Sequence, residues 1–369
     1  MKSATSPSPA VPPGIASAAD YEIWARDHMD AGAWSYLDGA GADGITARAN
    51  QAAFASIRLR SRVLRPLGGA HTRLSLHGHM HAHPIFIAPT AFQALAHPDA
   101  EHATAMAAAA TGTAMVLSMQ SGTAIEALQR TATPPLLWFQ LYAQAQRRDT
   151  LALAHRALNA GARALVLTVD APVNGVRNAE VRAGFRMPAD IRPVHLDGLA
   201  PAHAKPAPLG GQPLFDTGML DAAPTWDDIA WLREQINAPL WLKGIMDPDD
   251  AKRAAGLGLD GLIVSNHGGR CLDTLPATIE ALPAIASAVG NSLPILMDGG
   301  IRRGTDILKA IALGARAVLI GRPVLHALAT AGAPAVAHLI QMLRGELEVA
   351  MALTGCRCLD DIGPDVIWP

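Results

Sequence analysis

From residue 85 onward the chain alternates short apolar runs with alanine-rich stretches of helical character. The apolar runs are Ile85–Ala88, Ala114–Leu117, Leu136–Leu141, Ala164–Val169, Leu240–Leu242, Gly261–Val264, Ile295–Met297 and Ala317–Ile320. Amphipathic helices are predicted between most of them, at Ala100–Ala110, Asp149–Ala160, Trp226–Ile236, Asp249–Gly256 and Thr305–Leu313. Asp149 and Thr305 read as N-caps, and Gly161, Gly256 and Gly314 as C-terminal stops. Eight strand-then-helix units in roughly 240 residues predict an α/β chain closed into a (β/α)8 TIM barrel rather than an open sheet.

The segments outside the repeat are fewer. Residues 1–17 are rich in Ser, Pro and Ala, lack the apolar stretch of a secretory signal, and read as a flexible tail before a single domain at 18–369. Residues 18–84 predict one or two helices within 18–37, then an irregular or hairpin segment. The stretch 171–225 is a long insert after the fourth strand. Its second half is dense in Pro, Gly and Ala, which predicts a lid or a disordered loop, and it carries no amphipathic apolar face that would anchor it in a membrane. A closing helix is expected at 333–353.

Of the 369 residues 50% are hydrophobic and 17% charged, with a net charge of −2. Such a chain can build a large core, and it has no general electrostatic attraction to nucleic acid. No uninterrupted apolar run approaches the ~20 residues of an integral membrane segment. Three cysteines, Cys271, Cys356 and Cys358, do not make a disulfide framework and fit a reducing cytoplasm. Cys356 and Cys358 have no second cysteine pair to complete a metal site. The run His77, His79, His81 and His83 has no nearby carboxylate or cysteine. It reads as a solvated strand, so no metal is expected.

A barrel carries its chemistry where its strands end. Each predicted strand delivers a polar group there: Pro89, Thr90 and Ala91; Ser118; Gln140 and Tyr142; Thr168 and Asp170; Lys243; Ser265 and His267; Asp298, Gly299 and Gly300; Gly321 and Arg322. In the string Ser265-Asn-His-Gly-Gly-Arg270, His267 can exchange a proton near neutral pH and Arg270 can grip a carboxylate in two parallel hydrogen bonds. The intervening glycines suit tight turning or close approach to a ligand. Asp170 on the same rim would fix the tautomer of His267 and raise its proton affinity. The loops Asp298–Gly304, which contains Arg302, and Gly321–Arg322 suit a phosphate dianion. Lys243 reads equally as a surface lysine, as a Schiff-base lysine or as a fixed charge beside an electron-accepting ring.

These residues together resemble the FMN-dependent α-hydroxy-acid oxidase and dehydrogenase family, from about residue 21 to 362. The resemblance rests on Ile87-Ala-Pro-Thr-Ala91, Ala96-His-Pro98, Phe139-Gln-Leu-Tyr142, Thr168-Val-Asp170, Ser265–Arg270, Asp298–Asp306 and Ile320-Gly-Arg-Pro323. It implies FMN as cofactor. Pro89, Thr90, Ala91, Ser118, Gln140, Thr168, Lys243 and Ser265 would lie around the flavin ring. Asp298, Gly299, Gly300, Arg302, Gly321 and Arg322 would hold the ribityl chain and phosphate. Tyr36, Tyr142, Arg177 and Arg270 would contact the substrate, and His267, supported by Asp170, would be the base. The implied reaction oxidises an (S)-2-hydroxy acid to the 2-oxo acid.

Departures from the family pattern bear on specificity. Met119 and Gln120 stand where glycolate-oxidase-like members carry Ser-Trp, Asn174 fills a position that is often apolar, and Cys271 replaces the usual glutamine. The first two point to a roomier, more polar pocket suited to larger hydroxy acids. Ala91 and the absence of an anchor pattern favour O2 as acceptor, with hydrogen peroxide as product; a dehydrogenase serving a quinone or carrier is the alternative. The resemblance also implies a homo-oligomer, a tetramer. Two other classes remain: a Schiff-base aldolase centred on Lys243, and a catalytically silent binding barrel.

Overall fold

The computed structural model describes residues 10–199, 215, 220, 221 and 223–369. Its ten strands are β1 (Leu74–Leu76), β2 (His79–His81), β3 (Ile85–Ile87), β4 (Ala114–Ser118), β5 (Leu137–Leu141), β6 (Leu165–Thr168), β7 (Leu240–Ile245), β8 (Gly261–Val264), β9 (Ile295–Met297) and β10 (Ala317–Ile320). Strands β3 to β10 form a closed parallel barrel, with β10 paired to β3 in the register Val318 opposite Ile85. Nearly every residue in these strands is buried, because side chains fill the barrel on one face and meet helices on the other. All eight predicted barrel strands are present.

Among the described residues the α-helices are α1 (Ala18–His28), α2 (Ala31–Leu37), α3 (Ile45–Ser56), α4 (Ala100–Thr111), α5 (Ile125–Gln129), α6 (Arg147–Asn159), α7 (Asn178–Ala183), α8 (Trp226–Gln235), α9 (Pro248–Gly256), α10 (Thr278–Val289), α11 (Gly304–Ala312) and α12 (Arg322–Thr354). Two expected caps are displaced. Asp149 lies inside α6, which Gln146 precedes, and Thr305 lies inside α11, which Arg303 precedes. At α11 the capping oxygen comes from within the helix: Asp306 accepts from the backbone N–H of Arg303 at 2.9 Å and of Arg302 at 3.0 Å. Gly161 and Gly314 take positive φ just beyond their helices as expected, whereas Gly256 is still helical and Gly258 makes the left-handed turn.

The predicted closing helix is the second part of α12. Non-helical backbone at Ala331 and Gly332 divides it, and the two parts together pack against α1, α4, α11 and β3. By length and composition α12 could cross a membrane, but 78% of its most apolar window is buried inside the protein, which identifies a core helix.

The histidine run is solvated only in part: His77 is exposed and His79 half-buried, whereas His81 and His83 are buried. β1 and β2 make an antiparallel hairpin under the N-terminal end of the barrel, where His77 meets Trp241 edge-on at 5.3 Å and His81 packs on Phe86 at 4.8 Å. Burial lowers the pKa of His81 and of His83 to about 4, so both are neutral packing groups.

Of the expected tail, residues 1–9 lie outside the described residues. Val11 and Ile15 pack against the core, and the Ser17 hydroxyl accepts from the Asp20 N–H to cap α1. In the insert, α7 and a 3-10 turn at Val194–Leu196 are formed; most of its Pro- and Gly-rich part, 200–214, 216–219 and 222, lies outside the described residues.

Candidate active site

The C-terminal ends of the barrel strands open into a cavity of about 690 Å³. Its walls bring together residues from seven of the eight strand ends: Pro89, Thr90 and Ala91; Ser118; Gln140 and Tyr142; Thr168; Lys243; Asp298, Gly299 and Gly300; Gly321 and Arg322. His267, Gly268 and Arg270, from the loop after β8, complete the ring. Tyr36 from α2 and Arg177 from the insert close the mouth, and Gln120 and Asn174 also face it. Ser265 and Asp170 stand behind the wall rather than on it. Ser265, expected at the flavin, is fully buried and instead accepts from Lys243 Nζ at 2.8 Å and from the His267 N–H at 3.1 Å.

The backbone at His267 turns left-handed, with φ of 56°, an uncommon conformation for a side-chain-bearing residue. The turn aims the imidazole back at β6, where Nδ1 meets Asp170 Oδ1 at 2.8 Å. Nδ1 is thereby occupied and Nε2 is left as the proton acceptor. Burial works against the imidazolium, but the Asp170 carboxylate and the adjacent Cys271 outweigh it and raise the His267 pKa to about 9. Gly244 makes room for this pair: its φ is +111° and a Cβ there would come within 2.5 Å of the Asp170 Cβ.

Lys243 is only 4% exposed and lies 3.1 Å from Asp298. Burial opposes its charge, yet Asp298 and Asp170 raise its pKa, so it is a fixed ammonium and not the neutral amine that Schiff-base formation requires. Beside it runs a polar relay in which Ser118 Oγ donates to Gln140 Oε1 at 3.2 Å and Gln140 Nε2 donates to Thr168 Oγ1 at 3.1 Å.

Arg270 and Arg177 converge at the mouth. Arg270 donates to the carbonyls of Tyr36 (2.8 Å), Leu37 and Gly39, and its guanidinium lies 5.6 Å from the Tyr36 ring. Burial and the neighbouring Arg177 and Arg322 push the Arg270 pKa down to about 9, still charged at neutral pH. Three crowded guanidinium groups favour an anion between them. Among the described residues that demand is met in part by Glu180 of α7, 3.4 Å from Arg177 and 4.0 Å from Arg270, and by Asp38, 3.7 Å from Arg322. Tyr36 is held between Phe185 of the insert and Phe92. Burial raises the pKa of both Tyr36 and Tyr142, so each keeps its hydroxyl proton as a donor.

The wall adjoining Arg270 is also basic and glycine-lined, since Arg322 and Arg270 share the Gly39 carbonyl. Arg322 donates to the carbonyls of Asp38 (3.0 Å), Gly268 (2.8 Å) and Gly39 (2.9 Å), which orients its remaining donors. Asp38 also meets His326 Nε2 at 3.1 Å. Among the described residues, Arg302 Nε and Asp298 Oδ1 are buried without a hydrogen-bond partner. Gly300 packs so closely on α3 that a Cβ would sit 2.0 Å from the Asn50 carbonyl, while at Gly321 a Cβ would make an ordinary contact of 3.8 Å with the Ala88 Cβ.

The paired glycines after His267 have a different purpose from the ligand approach expected of them. A Cβ on Gly268 would press on the Arg322 guanidinium at 2.9 Å, and one on Gly269 on the Ala47 N–H of α3 at 2.5 Å. Asn50, Asp38, Glu180 and Phe185 were not anticipated as contributors to this site. All four come from helices or loops folded over the mouth, which strand-end reasoning does not reach.

A family profile described as FMN-dependent dehydrogenase matches residues 25–369. The chain belongs to this family. It is 48% identical over 348 residues to an L-lactate oxidase of Roseobacter sp. (strain GAI101), covering 94% of this chain and 93% of the relative. It is 47% identical to an L-lactate oxidase of Alicycliphilus denitrificans, covering 99% of both chains. A crystal structure of mandelate oxidase with (S)-2-phenylpropionate superposes with a TM-score of 0.85 at 36% identity, covering 96% of this chain and 98% of that one.

FMN is the cofactor of this FMN-dependent enzyme, and the cavity suits it chemically. A cavity of this size holds a ligand of that class, the buried ammonium of Lys243 suits an electron-accepting ring, and the buried Arg302 guanidinium, 3.7 Å from Glu22 but with Nε making no hydrogen bond, suits a phosphate beside Gly299, Gly300 and Gly321.

Proposed function

We propose that the protein oxidises an (S)-2-hydroxy acid to the corresponding 2-oxo acid, passing the electrons to O2 and releasing hydrogen peroxide. The observation that carries this reading is the convergence on one cavity of a carboxylate-backed histidine, two carboxylate-seeking arginines and a buried lysine. FMN supplies the two-electron acceptor when bound. Lys243, Ser118, Gln140, Thr168 and the Pro89–Ala91 segment would hold its ring, and Asp298, Gly299, Gly300, Arg302, Gly321 and Arg322 its ribityl phosphate.

The chain's own groups do the rest. Arg270 and Arg177 neutralise and orient the substrate carboxylate, and the hydroxyls of Tyr36 and Tyr142 donate to the substrate oxygens. His267 Nε2 takes the proton of the substrate hydroxyl, and Asp170 stabilises the resulting imidazolium. Fixing the substrate between base and acceptor converts much of the entropic barrier into binding.

L-Lactate is the first substrate to test, because two relatives, 48% and 47% identical, are L-lactate oxidases. Gln120 and Asn174 on the wall support larger hydroxy acids such as mandelate as well. A cytoplasmic location is supported by the sparse, unpaired cysteines, and a homotetramer by the family resemblance.

The test is oxygen uptake and peroxide release by the FMN-loaded protein against a panel of 2-hydroxy acids. Peroxide equal to substrate consumed is expected. Rapid anaerobic reduction with no reoxidation in air, relieved by an artificial quinone, would replace the oxidase reading with a dehydrogenase.

A further inference from the structure

Behind the His267 ring, on the side away from the cavity, three potential ligands meet. A carboxylate oxygen of Asp170, a ring nitrogen of His267 and the sulfur of Cys271 all lie within 4.8 Å of one another. Cys271 is a free, half-buried thiol. Asp170 Oδ1 is used by His267, but Oδ2 is buried with no hydrogen-bond partner among the described residues. The backbone that carries the thiol is tightly held: Gly175 packs so closely that a Cβ would stand 2.1 Å from the Cys271 carbonyl.

We propose that Asp170, His267 and Cys271 form a binding site for Zn2+ whose occupation switches the enzyme off. A set of one sulfur, one nitrogen and one oxygen suits Zn2+, not Mg2+ or Ca2+, which prefer oxygen alone, and three protein ligands leave a fourth position for water. Separations within 4.8 Å allow all three atoms to reach a shared ion after small rotations. The field at this point already favours a cation on the imidazole, supplied by Asp170, while the Lys243 ammonium facing Asp170 opposes it. The ion would therefore bind reversibly rather than as a permanent structural metal. On binding, the Cys271 thiol and the His267 Nδ1 each give up a proton to solvent. An imidazole bearing a dication on Nδ1 carries its one remaining proton on Nε2, so Nε2 has no lone pair free to take the substrate proton and the base is lost. The inhibition arm of this inference rests on the base assignment above, whereas the binding arm does not.

The test uses chelator-treated, FMN-loaded protein titrated with Zn2+ by calorimetry, with turnover followed in parallel, and compares wild type with Cys271→Gln. Gln is the residue that glycolate-oxidase-like members carry at this position, which favours a folded, active variant. Wild type is expected to bind one equivalent that the variant binds more than about tenfold more weakly. Turnover of wild type should fall with that occupancy and return on chelation. Co2+ added in place of Zn2+ should give a sulfur-to-metal charge-transfer band in the near-ultraviolet difference spectrum, absent from Cys271→Gln. Equal Zn2+ affinity in the two proteins, or no such band in wild type, overturns the site. Binding at the site with full turnover retained would keep the site and overturn the base assignment of His267 instead.

Discussion

Asp170→Asn isolates the electrostatic core of this account, because it keeps the size and hydrogen-bonding reach of the side chain and removes its charge. In the wild-type protein Asp170 overcomes burial and brings the His267 pKa from 6.5 to about 9. At 1.36 kcal/mol per pH unit this is ~3 kcal/mol of preference for the imidazolium, the state the base occupies after taking the substrate proton. In Asp170→Asn burial is opposed only by the lesser contribution of Cys271, and the His267 pKa falls well below its wild-type value. Most of that ~3 kcal/mol is then missing from the step that loads the base, so kcat should fall by roughly two orders of magnitude.

The pH profile gives the sign independently of the amplitude. A raised folded pKa means that the proton-accepting form grows as pH rises, so the acidic limb of kcat/KM should lie above 6.5 in wild type. It should move to lower pH in the variant, at a much reduced activity. Steady-state oxygen uptake from pH 5.5 to 10 measures both. Unchanged kcat with an unmoved acidic limb refutes the idea that Asp170 sets the proton affinity of His267.

Other perturbations separate the remaining roles. Arg270→Met removes two charge-assisted hydrogen bonds to the substrate carboxylate, each worth ~1.5–3 kcal/mol, so KM should rise roughly a hundredfold or more; a normal KM rules out the clamp. Gly300→Ala drives a Cβ into the Asn50 carbonyl, 2.0 Å away, and should lower the FMN content of the purified protein; a full complement of flavin contradicts the placement of the phosphate loop against α3. Lys243→Met removes a buried cation from beside Asp298 and should make the bound flavin harder to reduce, seen as a more negative reduction potential. An unshifted potential places Lys243 away from the ring.

The barrel was legible because each strand is a run of aliphatic residues ending in a polar residue or glycine, and parallel strands buried on both faces write that pattern plainly. Helix α3 was not legible: its buried residues are Thr46, Asn50 and Phe54, so two of the three that face inward are polar. They are satisfied only in the folded chain. The Asn50 and Asn266 amides exchange hydrogen bonds of 2.9 and 2.8 Å, a pairing across 216 residues that no local pattern reveals.

The histidine run was legible only in part for a related reason: His77 and His79 reach solvent as alternation suggests, but the hairpin seals the barrel floor and buries His81. The site residues at strand ends followed from the rule that barrels place chemistry there. Glu180, Asp38 and Phe185 did not, because α2 and α7 reach the mouth through tertiary packing. The two glycines after His267 signalled close approach correctly, but what approaches is Arg322 and α3.

The central claim is that His267 is the base for oxidation of a clamped hydroxy acid over bound FMN. Anaerobic stopped-flow mixing of L-lactate with wild type and with His267→Gln, both FMN-loaded, tests it most directly. Rapid loss of flavin absorbance in wild type is expected, together with a yellow His267→Gln protein whose flavin is reduced slower by several orders of magnitude. Bleaching of His267→Gln at the wild-type rate would contradict the account.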